Sequence, residues 1–341
     1  MRPDNLILRS TVPTFAVTGS SGFVGRHLVP WLAAQGRGVV TVSRGSTGPL
    51  PAGAQARPVA DYADVAALTN AFQGTQAVIH LAARAHVQGA EQPQEALAAF
   101  ERANVDAALV CAEAALQAGC RRFVLVSSIG VNGQATHGRP FTENDEPSPQ
   151  EPYARTKWKA ERAITERLMS TGLEWVVVRP PLVYGPGCPG NFRALLGLVR
   201  RLPVLPFGAL RACRSYIGIE NLCSALEMAA LHPACAGRRF VLSDGEDIDL
   251  ANLVRLLADG MGRAHVPQWA VPPVLLQALT MLAGRSDTFV KLSGELRVDS
   301  RAFHQCTGWQ PPVTLSQGLA RTAAAHRGRA PPPEATSLEC S

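Results

Sequence analysis

The sequence is poor in the features that mark secreted, membrane-spanning or metal-built proteins. Its eight cysteines (Cys111, Cys120, Cys188, Cys213, Cys223, Cys235, Cys306 and Cys340) form no C-x-x-C pair and no zinc spacing. They read as reduced thiols of a cytoplasmic protein, with no metal expected. The longest apolar stretch, Trp269 to Ala283, is broken by Pro272 and Pro273 and is too short to span a bilayer. Met1 to Thr14 has no apolar core behind a basic start, so no signal peptide is expected. Aromatic residues make up 6% and charged residues 18% of the chain. The net charge of +6 comes from scattered arginines such as Arg200-Arg201, Arg238-Arg239 and Arg327-Gly-Arg329, not from a stripe. With no aromatic platform beside them, these exclude a nucleic-acid partner and leave two readings of the pI near 9.1: a solvated basic surface or attraction for polyphosphate ligands. No internal repeat is present.

What the chain does have is a full core's worth of apolar residues, 46% of 341, enough for one large domain and a smaller lobe. Near its start, Phe15 to Val17 reads as a buried strand, and Gly19, Gly22 and Gly25 follow at three-residue spacing. Arg26 to Gln35 then has helical periodicity. Strand, glycine turn and helix in that order predict a dinucleotide site. The first glycine permits the tight turn, the second lets a pyrophosphate approach, and the third lets helix and strand pack closely. Val39 to Val42 reads as the second strand, ending at Ser43-Arg44. A carboxylate there would bind the ribose hydroxyls of NAD(H), whereas an arginine can hold a 2′-phosphate. NADP(H) is therefore slightly favoured over NAD(H), against the alternative of a plain surface arginine.

A short strand is expected over Arg57 to Ala60, closing at Asp61-Tyr62, with a helix over Asp64 to Phe72. A fourth strand runs over Ala77 to Ala83, ending in small residues where a cofactor must pass. Ala96 to Ala118 has the spacing of one helix, with Asn104 inside it either solvated or holding a hydrogen-bond network at the strand ends. Arg122 to Val126 is the fifth strand, ending in Ser127-Ser128. Tyr153 and Lys157 open the next helix, which runs through Thr171, and their spacing of four puts them on one face. A phenol is a poor base at neutral pH, and a neighbouring ammonium favours its phenolate, so the pair can move a proton.

Together these motifs resemble the extended short-chain dehydrogenase/reductase family in its nucleotide-sugar branch, the NAD-dependent epimerases and dehydratases. The matching stretches are Thr18 to Gly25, His80 to Ala83, Ser127-Ser128, Tyr153-x-x-x-Lys157, Arg179 to Pro186, Arg214 to Ile217 and Asp299 to Trp309. Within the branch the chain is similar to bacterial UDP-sugar 4-epimerases and UDP-4-keto-sugar reductases of polysaccharide biosynthesis, with Ser243 to Asp247 supporting that subgroup. The resemblance implies an α/β fold: a Rossmann-type doubly wound parallel sheet with a smaller, partly interleaved C-terminal substrate lobe. The expected division is an extension over 1–13, a cofactor domain over 14–185 with about 215–245, a sugar-nucleotide lobe over 186–214 and 246–325, and a disordered tail over 326–341. Within the lobe, helices are expected over Arg193 to Arg201, Glu220 to Leu231, Leu250 to Gly262 and Pro273 to Ala283. A strand over Arg239 to Leu242 rejoins the first domain.

By the same resemblance, Tyr153 is the acid/base, Lys157 its partner and a ribose contact, and Ser128 the donor to the reacting oxygen. The implied cofactor set is Gly19, Ser21, Gly22, Phe23, Val24, Gly25, Ser43, Arg44, Asp61, Tyr62, Leu81, Ala82, Ala83, Asn104, Ser127, Tyr153, Lys157 and Pro180. Ser128, Tyr153, Asn191 and Arg214 are implied for a UDP-sugar. Leu182 and Phe289 stand where relatives carry an asparagine and an arginine for the diphosphate, with Lys291 and Arg297 as candidate replacements. Ile129 and Gly130 stand where 4,6-dehydratases carry two carboxylates, which disfavours dehydration. A homodimer through the helices holding Asn104 and Tyr153 is also implied. Three functions are weighed: a 4-keto-reductase with exchangeable cofactor, favoured narrowly; a 4-epimerase that retains its NAD; and a non-catalytic NAD(P)-binding regulator.

Overall fold

The strands of the central sheet are apolar on both faces, and alternation sends successive side chains to opposite helix layers. The computed structural model describes residues 12–45, 48–85, 93–263, 266–282 and 294–328. Seven parallel strands are β1 (Thr14–Thr18), β2 (Gly38–Val42), β3 (Ala54–Ala56), β4 (Ala77–His80), β5 (Arg122–Val126), β6 (Glu174–Arg179) and, later in the chain, β9 (Arg238–Val241). Their order is β3-β2-β1-β4-β5-β6-β9. On one face, Phe15, Val17, Ile79, Val124 and Val176 pack against α1 (Phe23–Ala34) and α7 (Ile219–Leu231). On the other, Ala16, Val40, Val78, Phe123 and Val177 pack against α2 (Val65–Phe72), α4 (Ala107–Gln117) and α5 (Pro152–Leu168). Each such valine, isoleucine or phenylalanine side chain, fully buried, contributes roughly 1.5–3 kcal/mol. The order reverses between β1 and β4, and ligands of such sheets bind beyond the strand ends at that crevice.

Two expected elements differ. The third strand is Ala54–Ala56, not Arg57 to Ala60, although Arg57 N–H and Val59 N–H still donate to Thr41 and Ser43 carbonyls at 2.9 and 3.0 Å. That stretch runs beside β2 as a sheet edge without a full ladder. The helix expected over Ala96 to Ala118 is broken into α3 (Pro93–Glu101), a π-helical turn over Arg102–Asp106, and α4. Ala107 N–H reaches back to the Arg102 carbonyl, five residues earlier. Such turns accommodate a side chain that a regular helix would misdirect.

The rest of the chain forms a second layer of structure over the strand ends. β7 (Leu182–Tyr184), β8 (Cys213–Gly218) and β10 (Asp247–Asp249) make a three-stranded sheet that no sequence pattern announced. Around it lie α6 (Gly190–Arg201), α8 (Leu250–Gly260), α9 (Pro273–Leu282) and α11 (Leu315–His326), while α10 (Arg301–Thr307) packs near β9. The core here joins Tyr184, Phe192, Leu195, Leu253, Leu257 and Leu319. Side-chain caps fix several helix starts: Asp64 accepts from Ala67 N–H, Asp249 from Asn252 N–H, and Thr314 forms a capping box with Gln317.

Candidate active site

The glycine turn after β1 is shaped by its own backbone. Gly19 has φ +67°, and a Cβ there would lie 2.6 Å from Ala82 N and 2.8 Å from Ala82 Cα, so β1 and the end of β4 touch through it. A Cβ on Gly25 would lie 2.5 Å from both the Gly19 carbonyl oxygen and Ser20 Cα, which holds α1 close against the turn. Gly22 is exposed, and its imagined Cβ meets only the Gly19 oxygen, at 3.2 Å. It is also the N-cap of α1 and provides no side-chain cap. The first N–H groups of the helix, at Phe23, Val24 and Gly25, thus carry no side-chain acceptor, and the cradle fits a pyrophosphate. Ser21 is exposed at its tip, and the Ser20 hydroxyl is buried without a hydrogen-bond partner.

Beside the turn, a cavity of about 760 Å³ is lined by Arg44, Asp61, Tyr62, Ala82, Ala83 and Arg102, among others. An adjoining one of about 280 Å³ is lined by Gly19, Ser21, Gly22, Ser43, Leu81 and Ala82. Arg44, Tyr62, Ala82 and Ala83 line both. Tyr62 is the pin between them. Its hydroxyl donates to the Val42 carbonyl at 2.8 Å and accepts from Gly19 N–H at 3.3 Å. Burial pushes this phenol up to about 12, so it stays a neutral donor. The Arg44 guanidinium lies 5.9 Å over the Tyr62 ring, at the cavity mouth. Ser43 departs from expectation: its hydroxyl donates to the Gly45 carbonyl at 2.6 Å within its own loop. Asp61 is exposed at the rim.

Ser128, Tyr153 and Lys157 come together where β5 ends. Lys157 Nζ, buried, donates to the Val126 carbonyl at 2.8 Å, one turn along α5 from the half-buried Tyr153. The turn after Ser128 packs on the first turn of α5, since a Gly130 Cβ would sit 3.3 Å from Ala154 Cβ and 3.4 Å from Ser128 Oγ. Ser128 Oγ accepts from Gly130 N–H at 3.1 Å, which leaves its proton to give. Burial lowers the Lys157 ammonium to about 8, opposed by the Glu161 carboxylate four residues on. Burial also raises the Tyr153 phenol to about 12. The ammonium was expected to lower the phenol. Here it is directed at the strand carbonyl, and desolvation decides.

Behind the pair lies a buried ionic group that sequence reasoning missed. Arg179, at the end of β6, donates to Glu161 at 2.6, 2.9 and 3.2 Å and to Asn132 Oδ1 at 3.0 Å. Both Arg179 and Glu161 are 1% exposed or less. The Ser127 hydroxyl also donates to Glu161, at 2.5 Å, so its side chain is turned away from the cleft. Asn104 is likewise committed: its amide oxygen accepts from Arg84 N–H at 2.7 Å, and its amide nitrogen donates to the Arg84 carbonyl and Thr156 Oγ1, both at 3.0 Å. The π-helical turn aims Asn104 inward, tying the end of β4 to α5 between Tyr153 and Lys157. A visible signal for the ionic group was an arginine ending the apolar run Val176 to Val178, with Glu161 four residues after Lys157.

On the sugar side, Asn191 lies half-buried in the first turn of α6. Arg214, on β8, is 8% exposed and donates to the Gly294 carbonyl at 2.5 Å. Among the described residues no carboxylate pairs with it, and burial lowers its pKa. Arg297 pairs with Asp247 at 2.8 Å, and Lys291 and Phe289 lie outside the described residues. Leu182 opens β7. Pro180 is buried and its carbonyl accepts from Ile129 N–H at 2.9 Å, joining β6 to the Ser128 turn. Asp244, within the Ser243 to Asp247 motif, is a structural hub, accepting from Gly218 N–H, Asn221 and Tyr184.

Comparison with known proteins agrees with this geometry. The family model described as NAD dependent epimerase/dehydratase family matches residues 15–243. UDP-glucose 4-epimerase of Vibrio cholerae is 34% identical over 324 residues, covering 93% of this chain and 96% of its own. The 2-alkyl-3-oxoalkanoate reductase of Stenotrophomonas maltophilia is 28% identical, with coverage of 90% and 98%. Among solved structures, UDP-glucose 4-epimerase of Thermotoga maritima with UDP-glucose has a TM-score of 0.73 at 25% identity, with coverage of 92% and 99%. MoeE5 in complex with UDP-glucose and NAD has a TM-score of 0.70 at 26% identity, with the same coverage. The chain therefore belongs to the NAD dependent epimerase/dehydratase family, within the extended short-chain dehydrogenases/reductases.

Proposed function

We propose that the protein moves hydride at C4 of a UDP-linked sugar, as a UDP-4-keto-sugar reductase using NADP(H) or NAD(H), with Tyr153 exchanging the proton. The observation that carries this reading is the convergence of Ser128, Tyr153 and Lys157 at the end of β5, with β4 between them and the glycine turn after β1. When bound, the nicotinamide accepts or donates the hydride. Gly19, Ser21, Gly22 and the first N–H groups of α1 hold the pyrophosphate, while Asp61, Tyr62 and Arg44 face the adenosine. Leu81, Ala82 and Ala83 leave room for the ribose and phosphate. Lys157 binds ribose hydroxyls with the donors it does not spend on Val126, and Pro180 borders the nicotinamide. Asn104 and Ser127 act from behind, by fixing α5 and the end of β4.

In reduction, Ser128 donates to the keto oxygen at C4 and Tyr153 gives that oxygen its proton. Asn191 and Arg214 hold the diphosphate, for which the planar guanidinium offers two parallel donors. Burial keeps the Tyr153 phenol protonated, which is the state from which a reductase starts. Ile129 and Gly130 supply no carboxylate, which argues against dehydration. A second reading, a UDP-sugar 4-epimerase with retained NAD, is supported by the similarity to the Vibrio cholerae enzyme. That reaction begins by removing a proton, so it needs bound cofactor to offset burial at Tyr153. A cytoplasmic homodimer remains part of the proposal, to be checked by light scattering of the purified protein.

Mass spectrometry of small molecules released from the denatured protein separates the two readings. Protein free of cofactor that consumes NAD(P)H stoichiometrically with a UDP-4-keto-sugar supports the reductase. Tightly held NAD and interconversion of C4 epimers without added cofactor would overturn it in favour of the epimerase.

A further inference from the structure

We propose that His232, Cys235 and Cys306 form a binding site for a thiophilic metal ion, with Zn²⁺ as its occupant. Two come from one turn and the third from a helix far along the chain. His232 follows α7, Cys235 closes the short 3₁₀ turn Pro233–Cys235, and Cys306 lies in the last turn of α10. One donor atom from each lies within 4.8 Å of the others. Cys235 is fully buried, and Cys306 donates to the Ala234 carbonyl at 3.4 Å, drawing α10 onto the turn. The His232 Nδ1 is buried and has no hydrogen-bond partner among the described residues. A buried imidazole nitrogen left unsatisfied is costly unless something coordinates it.

Two thiolates and one imidazole are a donor set that Zn²⁺ accepts, with bonds of about 2.3 Å to sulfur and 2.0–2.1 Å to nitrogen. Tetrahedral bonds of that length hold the donors about 3.5–3.8 Å apart, so side-chain movements of roughly 1 Å close the site. On binding, each cysteine gives its thiol proton to solvent, and the two thiolates balance the charge of the ion. His232 and Cys306 are half-buried, which leaves the fourth position to water.

The place of the cluster in the fold sets its role. Gly237 N–H bonds the Trp175 carbonyl near the start of β6, and the Arg122 guanidinium, at the start of β5, bonds the His232 carbonyl at 2.8 Å. The cluster therefore sits at the N-terminal ends of the parallel strands, whereas the glycine turn and Tyr153 sit at their C-terminal ends. An ion there staples α7, the approach to β9 and α10 together and takes no part in proton or hydride transfer. The cysteine pattern along the chain concealed it, because Cys306 follows the turn by 72 residues.

The test uses the full chain, reduced and stripped with chelator, then titrated with Zn²⁺ or with Co²⁺ as a spectroscopic probe. One ion per chain is expected, with the visible absorption of tetrahedral thiolate-bound Co²⁺ and a rise in melting temperature that chelator reverses. Cys306→Ser should weaken binding by more than about a hundredfold, beyond the loss caused by an outer hydrogen-bond partner, while turnover is unchanged. Cys235→Ala should do the same, and Cys213→Ser should bind as the wild type does. Failure of reduced wild-type protein to bind either ion, or unchanged affinity in Cys306→Ser, would overturn the site. So would a Cys235–Cys306 disulfide in the unreduced protein with no metal uptake after reduction.

Discussion

The two sides of the cleft are built on opposite principles. On the glycine side, the structure holds back side chains: Gly22 caps α1 with nothing, Gly19 and Gly25 bring backbone against backbone, and Ala82 and Ala83 keep the wall low. On the α5 side, polar side chains are packed in and nearly every one is engaged. Lys157 holds Val126, Asn104 holds Arg84 and Thr156, and Ser127 and Arg179 hold Glu161. The first side awaits a ligand that carries its own charge, so bare N–H groups suffice. The second must hold a phenol at one place relative to a reacting carbon, and displacement of that phenol costs rate steeply.

The largest effect is expected on the α5 side. Tyr153→Phe should lower turnover by about 10²–10⁴ while leaving NAD(P)H affinity nearly unchanged, as steady-state rates and cofactor fluorescence titration would read. A wild-type rate in that variant would move proton transfer elsewhere and erase the contrast between the two sides.

Next comes the ionic group behind the tyrosine. Glu161→Gln keeps the shape but leaves Arg179 buried without its countercharge, so denaturant unfolding should show a loss of about 3–5 kcal/mol. Pairing it with Arg179→Met should recover much of that loss. An additive double variant would mean the pair does not act as a unit.

A smaller effect, dependent on pH, separates Lys157 from its surroundings. Its value in the folded chain is about 8, below the ordinary 10.5. Between those values the unfolded chain binds more protons, so this group makes stability rise as pH increases from about 8 to 10.5. The rise should be on the order of 2–3 kcal/mol and be absent in Lys157→Met, as melting temperatures at pH 7.5 and 10 would show. Equal pH dependence in the two proteins would place the ammonium in water.

The glycine side should yield the smallest change, because its side chains contribute little. Arg44→Ala should weaken NADPH by about tenfold at low salt and leave NADH nearly unchanged, with the gap narrowing as salt rises. Loss of both cofactors equally would mean that Arg44 acts through Tyr62 and the shape of the turn, not through a phosphate.

What could be read along the chain was what neighbouring residues decide among themselves. Three glycines at three-residue spacing specify a turn, because only glycine tolerates φ near +67° at Gly19 without a clash. Tyr153 and Lys157 share a helix face because the α-helical pitch puts them there. The short apolar runs of β1, β2, β4 and β5 announced strands of a buried sheet, whereas β6 was not read from the sequence. The broken helix around Asn104 was not legible, since a π-helical turn is selected by what the side chain meets across the fold.

The sequence by itself determined strands β1, β2, β4, β5 and β9, the dinucleotide turn and the tyrosine–lysine pair, all set by local backbone geometry and periodicity. Tertiary structure decided the rest: the placing of β3 and β6, the three-stranded sheet of β7, β8 and β10, the turning of Ser127 onto Glu161 and of Asn104 onto Arg84 and Thr156, the Lys157 bond to Val126, and the meeting of His232, Cys235 and Cys306. Each depends on contacts between segments far apart in the chain. Burial and pairing there are settled by which surfaces close on one another, and no local pattern carries that information.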